Sequence, residues 1–306
     1  MLRATVISLV LLLVGVEPTW ADSGSVAALE PENLWQAWNW DWLILLDLGL
    51  LGWCYQRGAR RLQTKSRSKR YAGSLSIAAF AGSIVVLCIA LISPLHALSE
   101  SLAAAHMVQH MLLMVVAAPL FVLGSPALVL TWGMPRSMLP LLGRCRRWLD
   151  AELLWQPWFA WLVYALALWL WHLPAAYQAA LVDPLVHDVQ HITFFAAACL
   201  YWRVLLEPVR RRQLQPITAF VLLFTTTVHA MVLGVFMALS PAIWYDVYAT
   251  RTQPWGLTPL ADQQLAGLIM WMPACLVYPA VAAAVIGRWL NDLSTLQTTQ
   301  QPLQGA

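Results

Sequence analysis

The chain has 306 residues, 60% of them hydrophobic and 11% charged, with a formal net charge of +3. It is far more apolar than a soluble domain, carries several apolar runs near twenty residues long, and gives nucleic-acid binding no support. Its five cysteines, Cys54, Cys88, Cys145, Cys199 and Cys275, are scattered with no CxxC or CxC, so a disulfide framework is not expected.

Residues 1–21 read as a secretory signal peptide, with Arg3, an apolar run over 5–16 and Thr19-Trp20-Ala21 as a small-residue cleavage site. Residues 22–39 form a short external tail. Trp35, Trp38, Trp40 and Trp42 then make an aromatic interface belt leading into a first membrane helix over 40–56, which contains Asp47. The stretch 57–70 holds seven basic residues and no acid, which places it in the cytoplasm.

A second helix over 73–92 ends at Ser93-Pro94, with His96 in the loop beyond it. The third begins near Leu102 and runs to Trp132, longer than a bilayer core needs at 1.5 Å per residue; Pro119 and the Gly124-Ser125-Pro126 break should kink or split it. Further helices are expected over 154–172, 185–206, 217–239 and 262–286, with 174–184 an external connection. The transmembrane domain therefore covers 40–290, and a cytoplasmic tail covers 291–306.

Charge tests this topology. Once the signal's Arg3 is set aside, 16 of the 17 basic residues fall in or beside internal segments, and only Arg251 falls outside. The expected fold is an all-α integral membrane protein: seven transmembrane helices, N-terminus out and C-terminus in, after a signal peptide.

On that topology all seven histidines lie in the outer half. His106-Met107-Val108-Gln109-His110 opens the third helix, and His187-Asp188-Val189-Gln190-His191 repeats the His-x-Val-Gln-His pattern at the start of the fifth. Residues four apart share a helix face, and both helices run inward, so His106 should match His187 in depth and His110 should match His191. Histidine inside a membrane span is costly without a partner, which makes the two pairs candidate metal ligands. Imidazole suits copper, zinc, iron and nickel, and the thioethers of Met107 and Met111 would favour Cu(I). His229 and His172 are further candidates. Asp188 and Asp262 are candidate partners for the second ring nitrogen of a bound histidine, with helix N-terminal placement the competing role.

His106 to His110 leading to Ala118-Pro119-Leu120 and Leu123-Gly124-Ser125-Pro126, then Trp171-His172-Leu173-Pro174 with Tyr177, then the His187 to His191 pair, then Asp262-Gln263-Gln264-Leu265-Ala266-Gly267 with Met270-Trp271, resemble the polytopic CtaG family of cytochrome c oxidase assembly factors. The resemblance covers about 40–290. It implies a multi-pass protein of the bacterial inner membrane that matures a haem-copper oxidase of the caa type. It also implies help in moving copper to that oxidase's buried centre.

The reading that joins residues and resemblance is a non-enzymatic assembly factor. Copper, as Cu(I), would bind at a periplasm-facing histidine site and pass to an oxidase subunit. The short external tail has no methionine or histidine cluster, so a separate periplasmic protein would have to donate the metal. Affinity would fall as protons compete for the imidazoles near their ordinary value of about 6.5. The alternative is a membrane redox protein with a single haem held between two histidines. A copper permease is less well supported, because only Cys199 and Cys275 lie below His229, and a metal-free scaffold for the oxidase is the remaining option.

Overall fold

The computed structural model describes residues 29–65, 73–138, 140, 143–144, 152–206 and 214–300. The expected signal peptide, the first part of the external tail, most of the basic segments between helices and the last six residues lie outside the described residues. Among the described residues all regular structure is helical.

In chain order the helices are α1 (Trp42–Lys65), α2 (Ser74–Leu91), α3 (Pro94–Ser101), α4 (Ala103–Met111), α5 (Ala118–Leu123), α6 (Pro126–Gly133), α7 (Pro157–Trp171), α8 (Pro174–Val182), α9 (Pro184–Leu206), α10 (Pro216–Leu239) and α11 (Pro259–Gln300). A π-helical stretch, Leu112–Ala117, joins α4 to α5 without a break. Among the described residues five spans are long and apolar enough to cross a membrane: α2, Ala103–Leu123, α9, α10 and Pro259–Asn291. The pair α7 and α8, bent by 73°, passes the same test only when counted together. This is a multi-pass membrane protein. Its outward faces carry exposed Leu75, Val85, Leu166, Leu170, Phe224 and Phe236, as lipid contact demands.

Several boundaries differ from those read in the sequence, each for a local reason. α1 has 24 residues but is not among the spans that pass, since it contains Asp47 and continues past Arg57, Arg60 and Arg61 to Lys65. The connection expected over 174–184 is largely helical: Pro174 takes the first turn of α8, where its missing N–H costs nothing. α11 runs on to Gln300, so part of the expected tail is helical.

The expected break after the third helix falls at Gly124-Ser125, where Ser125 adopts a left-handed conformation (φ 50°). Before it, Pro119 has no N–H, and its ring would crowd the carbonyl four residues earlier, so the helix widens just ahead of it. Ala118 N–H reaches back five residues to Leu113 C=O. The Met114 carbonyl would then look to Pro119 for a donor and find none; the buried Trp202 indole N–H from α9 supplies it at 2.9 Å. That bond fixes α9 beside the third span.

Candidate metal centre

The centre is assembled where α4 and α9 begin. Leu102, the residue before α4, has an extended backbone (ψ 127°) that turns the chain out of α3, and the first donors of α4 have no capping side chain of their own. Asp262, from the start of α11, supplies the cap. Its carboxylate accepts N–H groups from Ala103 at 2.6 Å and Ala104 at 3.1 Å. The neighbouring glutamines anchor the same corner: Gln263 accepts from Trp244 N–H at 2.6 Å and donates to Ala242 C=O at 3.0 Å. Gln264 donates to Ser240 C=O at 3.3 Å.

With α4 so held, the four paired histidines converge. His106 lies 5.4 Å from His187 between ring centroids, and His110 lies 5.6 Å from His191. Within each helix the two rings are 4.2 Å apart. The ligand nitrogens of His106, His110 and His191 all fall within 4.8 Å of one another. A cation with imidazole bonds near 2.0–2.1 Å brings its ligands to roughly 3.4 Å from each other, so modest inward ring rotation closes the set.

Burial makes the arrangement chemically demanding. His106 and His110 are fully buried, and His187 and His191 nearly so. Among the described residues no well-formed hydrogen bond reaches either nitrogen of His106 or His110, or Nε2 of His187 or His191, although the Gln190 side chain and the Ser99 backbone come near the His106 ring. Each such atom costs about 1–3 kcal/mol, and six gathered in one place ask for a ligand. The cluster's walls are aromatic and amide: Phe194 lies 4.6 Å from His110 and Tyr177 lies 5.0 Å from His106. The buried amide of Gln190 is the polar side chain nearest the His106 ring in that wall.

One step beyond His110, a softer pair adjoins the cluster. His172 sits at the bend between α7 and α8, its ring 6.1 Å from His110. Its Nδ1 meets Leu168 C=O at 2.6 Å and must donate there, which leaves the Nε2 lone pair facing the Met107 sulfur at 3.4 Å. Tyr245 holds the bend by donating to His172 C=O at 3.0 Å, and Tyr248 donates to Ser99 C=O at 3.0 Å. Burial pushes both phenols up, so they remain donors.

Other candidate residues lie elsewhere. His229 is half-buried on α10, with Trp161 and Tyr164 as its ring neighbours and both nitrogens unpartnered. Met111 is partly buried against the main core. Asp188 is exposed on α9, and the Asp262 carboxylate bonds backbone rather than a ring. The residue that sequence reasoning undervalued is His96. It lies on α3, not in a loop, with its ring stacked 5.6 Å from His187.

A family model, the cytochrome c oxidase caa3 assembly factor (Caa3_CtaG), matches residues 53–292. The chain belongs to that family. No curated protein and no solved structure matches it. All seven histidines of this caa3 assembly factor lie inside the matched region. Membership ties the protein to a haem-copper oxidase in the membrane. The four described cysteines of the assembly factor are free and dispersed, so imidazole and thioether are the ligands its buried centre offers.

Proposed function

We propose that this caa3 assembly factor binds copper, as Cu(I), among His106, His110, His187 and His191, and passes it to the copper centre of the oxidase. The observation that carries the reading is a group of four buried imidazoles, each within 4.2–6.2 Å of at least two of the others, with six ring nitrogens that lack a well-formed hydrogen bond. Met107 and His172 supply a soft donor beside His110, and thioether favours Cu(I) over zinc. A site with more donors than one ion uses can exchange ligands, which permits release without a trap. The role is that of a carrier and not of an enzyme.

The basic segments support a seven-helix arrangement with α1 as the first span, the bent pair α7 and α8 as the fourth, N-terminus out and C-terminus in. The histidine centre then faces the periplasm of a bacterial inner membrane, where a separate copper donor protein meets it. Asp262 serves that centre by holding the helix that carries His106 and His110, and His229 has no part in it.

The test is to purify the protein in detergent after adding copper under reducing conditions, beside a variant with His106, His110, His187 and His191 all changed to Ala. Bound metal and the visible spectrum are measured in both. Near-stoichiometric copper that vanishes in the variant is expected. A haem Soret band that vanishes instead would move the protein to the redox class, and no metal in either sample would overturn the copper reading.

A further inference from the structure

A fully buried centre needs a route for its ion. Below His110 the contacts become apolar, with Phe194 at 4.6 Å and the buried Leu113, Met114 and Ala117 beyond. In the opposite direction the imidazoles continue. His187 lies 5.4 Å from His106 and 4.2 Å from His191, and on its other side His96 lies 5.6 Å away with the two rings nearly parallel at 22°. His187 Nε2 is buried and has no partner, so the ring between the two groups retains a free donor position.

Exposure rises along the same line. His106 is closed to solvent, His187 is 6% exposed, and the His96 side chain is 21% exposed. Glu100, one turn on from His96, is 58% exposed, with its carboxylate 3.9 Å from His96 Nε2. Asp41 also acts electrostatically on His96, so Glu100 and Asp41 make an acidic rim at this end of the line. Such a rim raises the local concentration of cations. α3 is held in place around it: Arg251 donates to Glu100 C=O at 2.8 Å, and Ser99 donates to His96 C=O at 2.7 Å.

We propose that His96 and Glu100 form an outer loading site, from which Cu(I) passes by ligand exchange through His187 to His106, His110 and His191. This rests on the copper reading above and adds a second, shallower site with its own residues. The Gln109 N–H meets His96 Nδ1, which puts the ring proton on Nε2 toward Glu100; Cu(I) takes the Nδ1 lone pair in place of that N–H while Glu100 holds the tautomer, and each later exchange replaces one imidazole by the next with the ion remaining Cu(I). His96 governs how fast the inner centre fills, and not how tightly it holds.

The experiment follows transfer of Cu(I) from its chromogenic bicinchoninate complex to the full chain in detergent by stopped-flow absorbance, with the equilibrium partition read at the end. His96→Gln retains an acceptor for the Gln109 amide, which now meets His96 Nδ1 at 3.3 Å, and Glu100→Gln changes only an exposed charge. His96→Gln should slow loading about ten-fold with the partition unchanged. Glu100→Gln should slow it a few-fold, with the difference disappearing at high salt. Loading of His96→Gln at the wild-type rate would overturn the route. A fall in its partition equal to the fall in rate would make His96 a ligand of one single centre and overturn it equally. Failure of the wild type itself to take Cu(I) would instead sink the reading on which the route rests.

Discussion

The carboxylate of Asp262 accepts the backbone N–H of Ala103 at 2.6 Å, across 159 residues of sequence. One side chain thereby joins the start of the last span to the start of the helix that carries His106 and His110. Asp262→Ala leaves two buried helix donors unsatisfied, Ala103 and Ala104, and should lower stability by on the order of 2 kcal/mol or more. Asp262→Asn retains one acceptor and should lose roughly half as much. Thermal denaturation of the purified variants in detergent measures both, and equal losses would mean that the charge matters more than the cap. Copper capacity should fall with Asp262→Ala although no ligand has been touched.

Trp202 offers a second long-range bond with a clean test. Its indole donates to the Met114 carbonyl, which the π-helical turn and Pro119 leave without a backbone donor. Trp202→Phe keeps most of the buried ring and deletes the N–H. A loss of about 1–3 kcal/mol in stability is expected. A melting temperature equal to that of the wild type would show that the freed carbonyl finds another partner.

These two bonds mark where reading the sequence stops. The paired histidines were legible because a spacing of four on a helix sets both rings on one face, and because the basic segments gave both helices the same direction. That logic also gives the matched depths of His106 with His187 and His110 with His191. The role of Asp262 was not legible, since its partners lie 158 and 159 residues away and are backbone groups that carry no sequence signal. His96 was hidden by the extended residue Leu102, which turns α3 back over the start of α4; read as a loop, the stretch gave its ring no direction. His229 illustrates the converse. Its depth suggested a ligand, but depth along a helix does not fix the rotation about its axis, and the ring faces Trp161 and Tyr164.

The contact between α1 and α6 depends on two glycines. A Cβ at Gly58 would collide with the Val129 carbonyl, and one at Gly133 with the Cys54 carbonyl. Both obstacles are backbone, so the helices must part. Gly58→Ala and Gly133→Ala should each destabilise by about 1–3 kcal/mol, and the double variant should lose less than the sum, because the first separation accommodates the second side chain. A Cβ at Gly49 or Gly52 on the same helix would meet no atom of the described residues within 4 Å, and their Ala variants should match or slightly exceed the wild type. Melting curves for the set decide this, and additive losses would refute a shared contact.

Met107 separates a soft-metal site from a general imidazole site. Its sulfur lies 3.4 Å from His172 Nε2, and the residue is fully buried, so Met107→Leu keeps shape and apolarity while removing the thioether. Volume-conserving exchange of this kind costs less than about 1.5 kcal/mol in stability. If the sulfur binds metal, the variant should lose Cu(I) affinity by about ten-fold, while zinc binding, carried by imidazole alone, should change little, since thioether prefers Cu(I). Competition titrations with a Cu(I) chelator and a zinc chelator, run on the same preparations, read the two affinities. A parallel fall in both would assign Met107 to packing and leave the four histidines as the whole of the centre, whereas a fall confined to Cu(I) would explain why a thioether lies beside His172 in a site otherwise built from nitrogen.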